Sequence, residues 1–241
     1  MTLILLGVIT GFVSGFFGVG GGMILVPMLL LYGLDMKSAV AISIMQMVFS
    51  STYGTFLNYK KNKALLKDGI FIGLGGFLGG SLSGVIVPNV DGQYLKYLFL
   101  LTIVLGVIRI YISPTEPIKN VSKQNKFLLI TIGFFIGMLA MSIGVGGSVI
   151  LTPILVGFMF YKLKDASSLG LFFVIFSSIA GFISLSTSGH MLFNEGLLVG
   201  VFSLVGVFFG IKTKQIINIK SYKNFTLVLY LMIIISIIFK L

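Results

Sequence analysis

Long apolar runs follow one another along almost the entire chain and limit what it can fold into. Two of them, AVAISIMQMVFSSTYGTFL (39–57) and FTLVLYLMIIISIIF (225–239) with its flanks, approach the roughly 20 residues that a helix needs to cross a membrane. Charged residues make up 10% of the 241 residues, too few to cover a water-facing surface. The sequence therefore predicts an all-α integral protein of the cell membrane that crosses the lipid bilayer many times.

The formal net charge of +11 does not indicate a nucleic-acid-binding protein. The basic residues lie in short loops between the apolar runs, where the positive-inside rule places them on the cytoplasmic side. The chain has no cysteine and one histidine, and its six acidic residues fall at the ends of the apolar runs. We therefore expect no cofactor, no metal site, no enzymatic activity and no mid-membrane carboxylate that relays protons.

The second half of the sequence repeats an ordered series of glycine, proline and serine residues from the first half. The matched pairs, at an offset of 126 residues and of 127 after one insertion, include Gly18 with Gly144, Gly20 with Gly146, Gly21 with Gly147, Pro27 with Pro153, Ser50 with Ser177 and Ser51 with Ser178. Such a series predicts a duplicated unit. We interpret residues 1–112 and 127–241 as two repeats and 113–126 as a cytoplasmic linker.

Each repeat contains four long apolar segments and one short one. The predicted segments are 2–17, 22–33, 38–58, 69–88 and 94–112 in the first repeat, and 127–143, 147–160, 165–187, 192–212 and 222–239 in the second. The pieces 22–33 and 147–160 are too short to span the hydrocarbon core and are predicted to be half-helices. The chain should then have about 8–10 transmembrane segments, including these two.

Equivalent loops of the two repeats carry opposite charge. The loop NYKKNKALLKD is strongly basic, whereas its counterpart STSGHMLFNE has no lysine or arginine. Conversely, the loop from Pro88 to Lys96 is nearly neutral and its counterpart from Lys212 to Lys223 has four lysines. This pattern predicts an inverted-topology repeat with both termini outside the cell.

The stretch GFFGVGGGMILVP places helix-breaking residues inside an apolar segment, and SIGVGGSVILTP repeats it. Non-helical backbone survives at membrane depth only where protein or a water-filled cavity satisfies it. We therefore predict two buried breaks that meet near the midplane. A helix beginning after each break would point its free N–H groups into the break and favour a small anion. Close helix packing is the alternative role of such glycines, and we assign that role to Gly75–Gly84 and Gly196–Gly210.

Polar residues of the third segment are the next candidates, because Ser43, Gln46, Ser50 and Tyr53 share one helical face. Gln46 is the strongest, since a buried amide is unfavourable without a partner. The predicted substrate-binding residues are Gly18, Gly20, Gly21, Gly22, Gln46, Ser50, Ser51, Gly144, Gly146, Gly147, Ser148, Ser177 and Ser178. Pro27 and Pro153 are predicted to be helix breaks or hinges.

The two glycine motifs, the duplication, and the DG and EG dipeptides that open the fourth segments together resemble the TauE/SafE family of sulfite and organosulfur-anion permeases. The resemblance implies a secondary transporter that moves sulfite, a sulfonate or a related small anion across the cytoplasmic membrane, often outward. Ser148 departs from it by replacing the third glycine. An alternative is a membrane accessory or sensor subunit that binds a small anion without net transport.

Overall fold

The computed structural model describes residues 1–59, 66–112 and 125–238, so most of the predicted linker lies outside the described residues. These residues form helices connected by short turns. The helices are α1 (Thr2–Phe17), α2 (Gly22–Tyr32), α3 (Met36–Tyr59), α4 (Leu66–Gly80), α5 (Ser83–Asn89), α6 (Gly92–Ile112), α7 (Lys126–Ile143), α8 (Ser148–Gly157), α9 (Leu163–Thr187), α10 (Phe193–Ile216) and α11 (Ile219–Ile238).

The all-α membrane class is confirmed. Five helical segments in the described part of the chain are long and apolar enough to cross a membrane: Met36–Leu57, Gly69–Asn89, Lys126–Ile143, Asp165–Thr187 and Phe193–Ile216. Five shorter apolar helices accompany them: Thr2–Phe17, Gly22–Tyr32, Gly92–Ile108, Ser148–Gly157 and Leu227–Ser236. The total agrees with the predicted 8–10 segments.

The two predicted half-helices are α2 and α8, with 11 and 10 residues. Each follows a break that glycine permits. The helix before each break ends at a glycine in the left-handed region, Gly18 with φ 72° and Gly144 with φ 71°. Each half-helix then starts after another left-handed glycine, Gly21 with φ 83° and Gly147 with φ 66°. Residues with a Cβ rarely adopt these angles, which explains why both breaks are rich in glycine.

The predicted segment 69–88 corresponds to the candidate span Gly69–Asn89, which a two-residue turn divides into α4 and α5. Helix α4 ends at Gly80 and α5 begins at Ser83. The Ser184 hydroxyl of α9 enters the gap, where it donates a hydrogen bond to the Ser81 carbonyl oxygen and accepts one from the Gly84 N–H at 3.0 Å. A side chain that inserts into the backbone hydrogen-bond ladder is a known cause of a helix interruption.

Glycines let helices of opposite repeats pack backbone to backbone. Gly7, Gly11 and Gly15 of α1 lie in that order against Val199, Ser203 and Val207 of α10. The equivalent helices pack in the same way, with Gly133 and Gly137 of α7 against Ile72 and Gly76 of α4. The matching order means that the two helices of each pair run parallel. The packing role predicted for Gly75–Gly84 and Gly196–Gly210 is confirmed, because a Cβ added at Gly75, Gly79, Gly206 or Gly210 would collide with backbone.

Helix α3 also runs parallel to α10, since Met45 and Phe49 lie against Gly196 and Gly200 in that order. Helices α1 and α3 therefore run in the same direction, and the chain between them must return. Helix α2 provides that return, so α1 and α2 form a hairpin rather than two successive crossings in one direction. Contacts between α1 and α2 agree with this arrangement.

The helix contacts follow the duplication. Helix α1 packs on α10 and α7 on α4; α3 packs on α10 and α9 on α4; α2 packs on α3 and α8 on α9. Helices α3 and α9 contact each other, as do α6 and α11. Exchanging each helix for its repeat equivalent leaves this list unchanged. The helices α3 and α9 therefore form the central pair, and the two breaks pack against this pair.

Asp35 caps the start of α3, outside the membrane-spanning segments. Its carboxylate accepts hydrogen bonds from the Ser38 N–H at 3.0 Å and the Ser38 hydroxyl at 2.6 Å. Partial burial raises the pKa of this carboxyl, but the hydrogen bonds from Ser38 outweigh burial and hold the pKa below its usual range. The cap fixes the point at which the chain turns from α2 into α3.

We predict that Gly11→Ala destabilises the protein, although alanine favours a helix over glycine by roughly 1 kcal/mol. The new Cβ would collide with the Ser203 backbone of α10. Gly92→Ala is the matched control, because the nearest atom to its Cβ would be Met36 Cβ at 3.5 Å. Thermal unfolding in detergent should show a lower midpoint for Gly11→Ala than for Gly92→Ala. Equal midpoints would contradict the packing interpretation.

Candidate functional site

The two glycine breaks lie side by side between α3 and α9. A Cβ built on Gly146 of the second break would lie 3.0 Å from the Val19 carbonyl oxygen of the first. Met47 of α3 and Val174 of α9, which are repeat equivalents, both contact Gly20 and Gly146. The breaks therefore meet on the pseudo-twofold axis, as the duplication predicts. Both side chains at this point are apolar and fully buried.

Serine hydroxyls from the long helices satisfy the carbonyl groups of the breaks. Ser167 donates to the Phe17 carbonyl oxygen at 2.7 Å, Ser50 to that of Gly20 at 3.2 Å, and Ser43 to that of Gly144 at 2.8 Å. All three serines are fully buried. These bonds give the carbonyl groups the donors that a regular helix would provide. Irregular backbone can therefore exist at membrane depth.

Gln46 of α3 lies over the first break. Its Nε2 and Oε1 atoms are both 2.7 Å from where a Cβ on Gly21 would be, so only glycine leaves room for this amide. The side chain is fully buried, and neither atom has a hydrogen-bond partner among the described residues. A buried polar group without a partner is destabilising by about 1–3 kcal/mol, so this amide is a strong candidate to bind a ligand.

Helix α2 begins directly beside this amide. The N–H groups of Ile24 and Leu25 donate to the Gly21 carbonyl oxygen at 3.2 and 3.1 Å. In the described part of the chain the Gly22 and Met23 N–H groups donate no hydrogen bond. Free N–H groups at a helix start carry partial positive charge and attract anions. The Gln46 amide and the start of α2 thus both present hydrogen-bond donors without acceptors, and they lie next to each other.

An apolar side chain covers the second break, whereas a polar side chain covers the first. Phe173 of α9 is the repeat equivalent of Gln46, and it packs over Gly147 as Gln46 packs over Gly21. It is fully buried. The N–H of Ser148, the first residue of α8, donates to the Gly146 carbonyl oxygen at 2.7 Å. The two breaks share a backbone shape but differ in what surrounds them.

The remaining predicted serines fall into two groups. Ser177 and Ser178 of α9 donate weakly, at 3.3–3.4 Å, to carbonyl oxygens of their own helix. The hydroxyls of Ser51 and Ser148 are buried and have no partner among the described residues. Ser51 and Ser148 can therefore take a new hydrogen bond without breaking one.

Ser148, which departs from the glycine pattern, is matched by a change on the facing helix. In the first repeat, Gly22 leaves room for the Ser43 hydroxyl beside the Gly144 carbonyl. The repeat equivalent of Ser43 is Gly170, and a Cβ on Gly170 would lie 2.7 Å from Ser148 Cβ. Each repeat therefore has one serine and one glycine at this contact, with the serine on opposite partners. Packing explains the replacement.

Sequence reasoning missed Lys214, because it grouped this residue with the cytoplasmic loop lysines. Lys214 lies near the end of α10, is 5% exposed, and is the single charged side chain among the buried residues that the structure describes. Its Nζ donates to the Ser167 hydroxyl at 2.9 Å and approaches that of Ser168 at 3.5 Å, and half-buried Asp165 is an electrostatic neighbour. The sequence did contain one signal for this burial, because the repeat equivalent of Lys214 is the apolar residue Val87.

Lys214 acts at the first break through Ser167. The same Ser167 hydroxyl donates to the Phe17 carbonyl oxygen, the last residue of α1 before Gly18. A helix C-terminus carries partial negative charge, so an ammonium group is favourable there. The loop charges predict that this end of α10 faces the cytoplasm. A buried cation thus lies beside the C-terminus of α1, where the first break begins.

Pro27 and Pro153 line two related apolar grooves on the outside of the bundle. Pro27 faces a groove of about 420 Å³ between α1, α2 and α11. Pro153 faces one of about 400 Å³ between α6, α7 and α8. Both prolines lie inside their half-helices, where they remove one backbone donor each. Their predicted hinge role remains a prediction.

Together, the apolar helices and the paired half-helices that meet at buried breaks define a multi-pass membrane protein with the architecture of a secondary transporter. The family model for the sulfite exporter TauE/SafE matches residues 3–237, so the chain belongs to this family. It is a membrane transporter.

Curated relatives agree with this class. The "Probable membrane transporter protein MJ0441" of Methanocaldococcus jannaschii is 28% identical, over 92% of this chain and 88% of that protein. The similarly named proteins YunE and YdhB of Bacillus subtilis are 25% and 23% identical. They cover 98% and 88% of this chain and 94% and 89% of their own lengths. These names specify transport and give no substrate.

The serine–glycine exchange generates a test of the local packing. We predict that Gly170→Ser alone destabilises the protein, because its Cβ would lie 2.7 Å from Ser148 Cβ. Adding Ser148→Gly should restore most of the stability, since it removes that contact and reproduces the Gly22–Ser43 arrangement. Thermal unfolding of the two single variants and the double variant measures the coupling. Additive effects of the two substitutions would disprove it.

Proposed function

We propose that this protein carries a small sulfur-containing oxyanion, such as sulfite or a sulfonate, across the cytoplasmic membrane. The observation that carries the proposal is the unpartnered Gln46 amide beside the first turn of α2. Both features offer hydrogen-bond donors at membrane depth, and an anion supplies the missing acceptors. Family membership favours a sulfur anion as the substrate.

The transport cycle is alternating access, with the repeats 1–112 and 127–241 as the moving parts. The pseudo-symmetric helix contacts support this, because two equivalent packings can exchange while the central breaks stay near the axis. The Gln46 side chain is fully buried, which fits an occluded conformation of such a cycle. The accessory or sensor alternative would bind the same anion at the same place without substrate-dependent flux.

Sulfite flux in proteoliposomes tests the proposal, with sulfate and sulfoacetate as comparisons. We predict that Gln46→Leu lowers sulfite flux about tenfold or more while the protein keeps its fold, since loss of hydrogen bonds to a charged ligand is worth ~1.5–3 kcal/mol. Thr52→Ala is the matched control, because that exposed hydroxyl of α3 donates to the Val48 carbonyl oxygen of its own helix. Saturable counterflow distinguishes a carrier from a sensor. Normal flux in the Gln46→Leu variant would exclude the amide from the site.

A second prediction concerns Lys214, which we propose attracts anions to the cytoplasmic end of the first break. Lys214→Met should raise the KM for sulfite presented from the cytoplasmic side. Lys212→Met removes an exposed charge two residues away, where Nζ lies 4.3 Å from the Phe208 ring centroid. This control separates buried charge from surface charge. Equal KM values for Lys214→Met and Lys212→Met would contradict a specific role for the buried charge of Lys214.

A further inference from the structure

The Gln46 amide makes two different demands on a partner. Its Nε2 group can donate two hydrogen bonds, whereas its Oε1 atom can only accept. Both atoms are buried without partners among the described residues, and both lie 2.7 Å from the Cβ position of Gly21. A ligand that offers only acceptors would satisfy Nε2 and leave Oε1 buried beside negative charge. A ligand that also offers a donor would satisfy both.

The start of α2 decides which part of a ligand faces which group. The free N–H groups of Gly22 and Met23 add donors on the side of Gly21. Negatively charged oxygens are therefore favoured against α2 and Nε2. Within the described residues, Lys214 is the single buried cation, and its ammonium group bonds to the hydroxyls of Ser167 and Ser168 at the Gly18 end. Oε1 of Gln46 accepts no hydrogen bond from any described residue, so we expect the ligand to supply the donor for it.

We infer that the substrate is an oxyanion that carries its own hydroxyl group, and that Gln46 selects it by accepting a hydrogen bond from that hydroxyl. The inference rests on the proposed transport function and adds the class of substrate. Hydroxyalkyl sulfonates and protonated sulfur oxyanions meet the requirement. Sulfate and unsubstituted alkyl sulfonates do not, because they have no O–H to donate.

The second repeat provides an internal comparison. Phe173 holds the position equivalent to Gln46 and packs over Gly147 with no polar atom. The Ser148 N–H at the start of α8 already has an acceptor in the Gly146 carbonyl oxygen. The demand for a ligand donor therefore arises from one repeat only. One hydroxylated anion per transporter is the expected stoichiometry.

Two sulfonates of equal charge and similar size isolate the hydroxyl group. Isethionate is ethanesulfonate with one added hydroxyl, and both are monoanions at neutral pH. Inhibition of sulfite flux in proteoliposomes by each compound should favour isethionate about tenfold or more in the native protein, because ethanesulfonate leaves Oε1 unpaired. In Gln46→Met, which keeps the length of the side chain, the preference should fall to within about twofold. Thr52→Ala, at an exposed position of the same helix, should retain it.

The outcomes separate this inference from the transport proposal. Absence of flux of both sulfite and sulfonates in folded native protein would overturn the transport proposal and the inference with it. Flux that both sulfonates inhibit equally, or that neither inhibits, would overturn the inference and leave transport standing. A preference for isethionate that survives in Gln46→Met would place selection at another residue and overturn the role of Gln46. Binding of the two sulfonates to native protein, measured by thermal shift, checks the comparison without any variant.

Discussion

Backbone carbonyl groups inside a membrane protein must find donors, and this requirement governs how the centre of the molecule is built. The glycine breaks expose carbonyls that a helix would have satisfied. Ser167, Ser50 and Ser43 supply the donors for Phe17, Gly20 and Gly144. Because these serines belong to α3 and α9, the two long helices must lie against the breaks. The positions of α1, α2, α7 and α8 follow from that contact.

The duplication gives both halves the same backbone but allows their side chains to diverge. Glycines with positive φ recur at matched positions, such as Gly21 and Gly147, because backbone geometry demands them. The side chains that pack over these glycines are not constrained by backbone geometry. Gln46 of the first repeat is therefore replaced by Phe173 in the second. Lys214 and Val87 differ in the same way. Divergence of this kind leaves a buried amide and a buried cation near the first break and an apolar ring over the second.

Much of the fold was predictable because hydrocarbon limits the choices. The half-helices, their glycine boundaries and the helix packing on glycines agree with the sequence interpretation. The break after Gly80 was not predictable, because it depends on Ser184, which is about 100 residues away. Burial of Lys214 was hidden for a similar reason, since its partners Ser167 and Ser168 lie on another helix. Sequence periodicity reports which face of a helix is apolar and says little about partners.

The asymmetry between the breaks also bears on how a symmetric scaffold can move. If both breaks carried an amide, each would stabilise bound anion equally and two anions would compete for the axis. Phe173 fills one side with an apolar ring, and the apolar side chains of Met47 and Val174 lie against both breaks. In the proposed transport cycle, the repeats would exchange packings around a single ligand. During such a movement, Ser43 and Ser167 would have to keep their hydrogen bonds to the carbonyl groups of the breaks or exchange them for others. Loss of one of these bonds would leave a buried carbonyl group without a donor and destabilise the protein by about 1–3 kcal/mol. The serine bonds are thus both the support of the breaks and a limit on the paths that the repeats can follow.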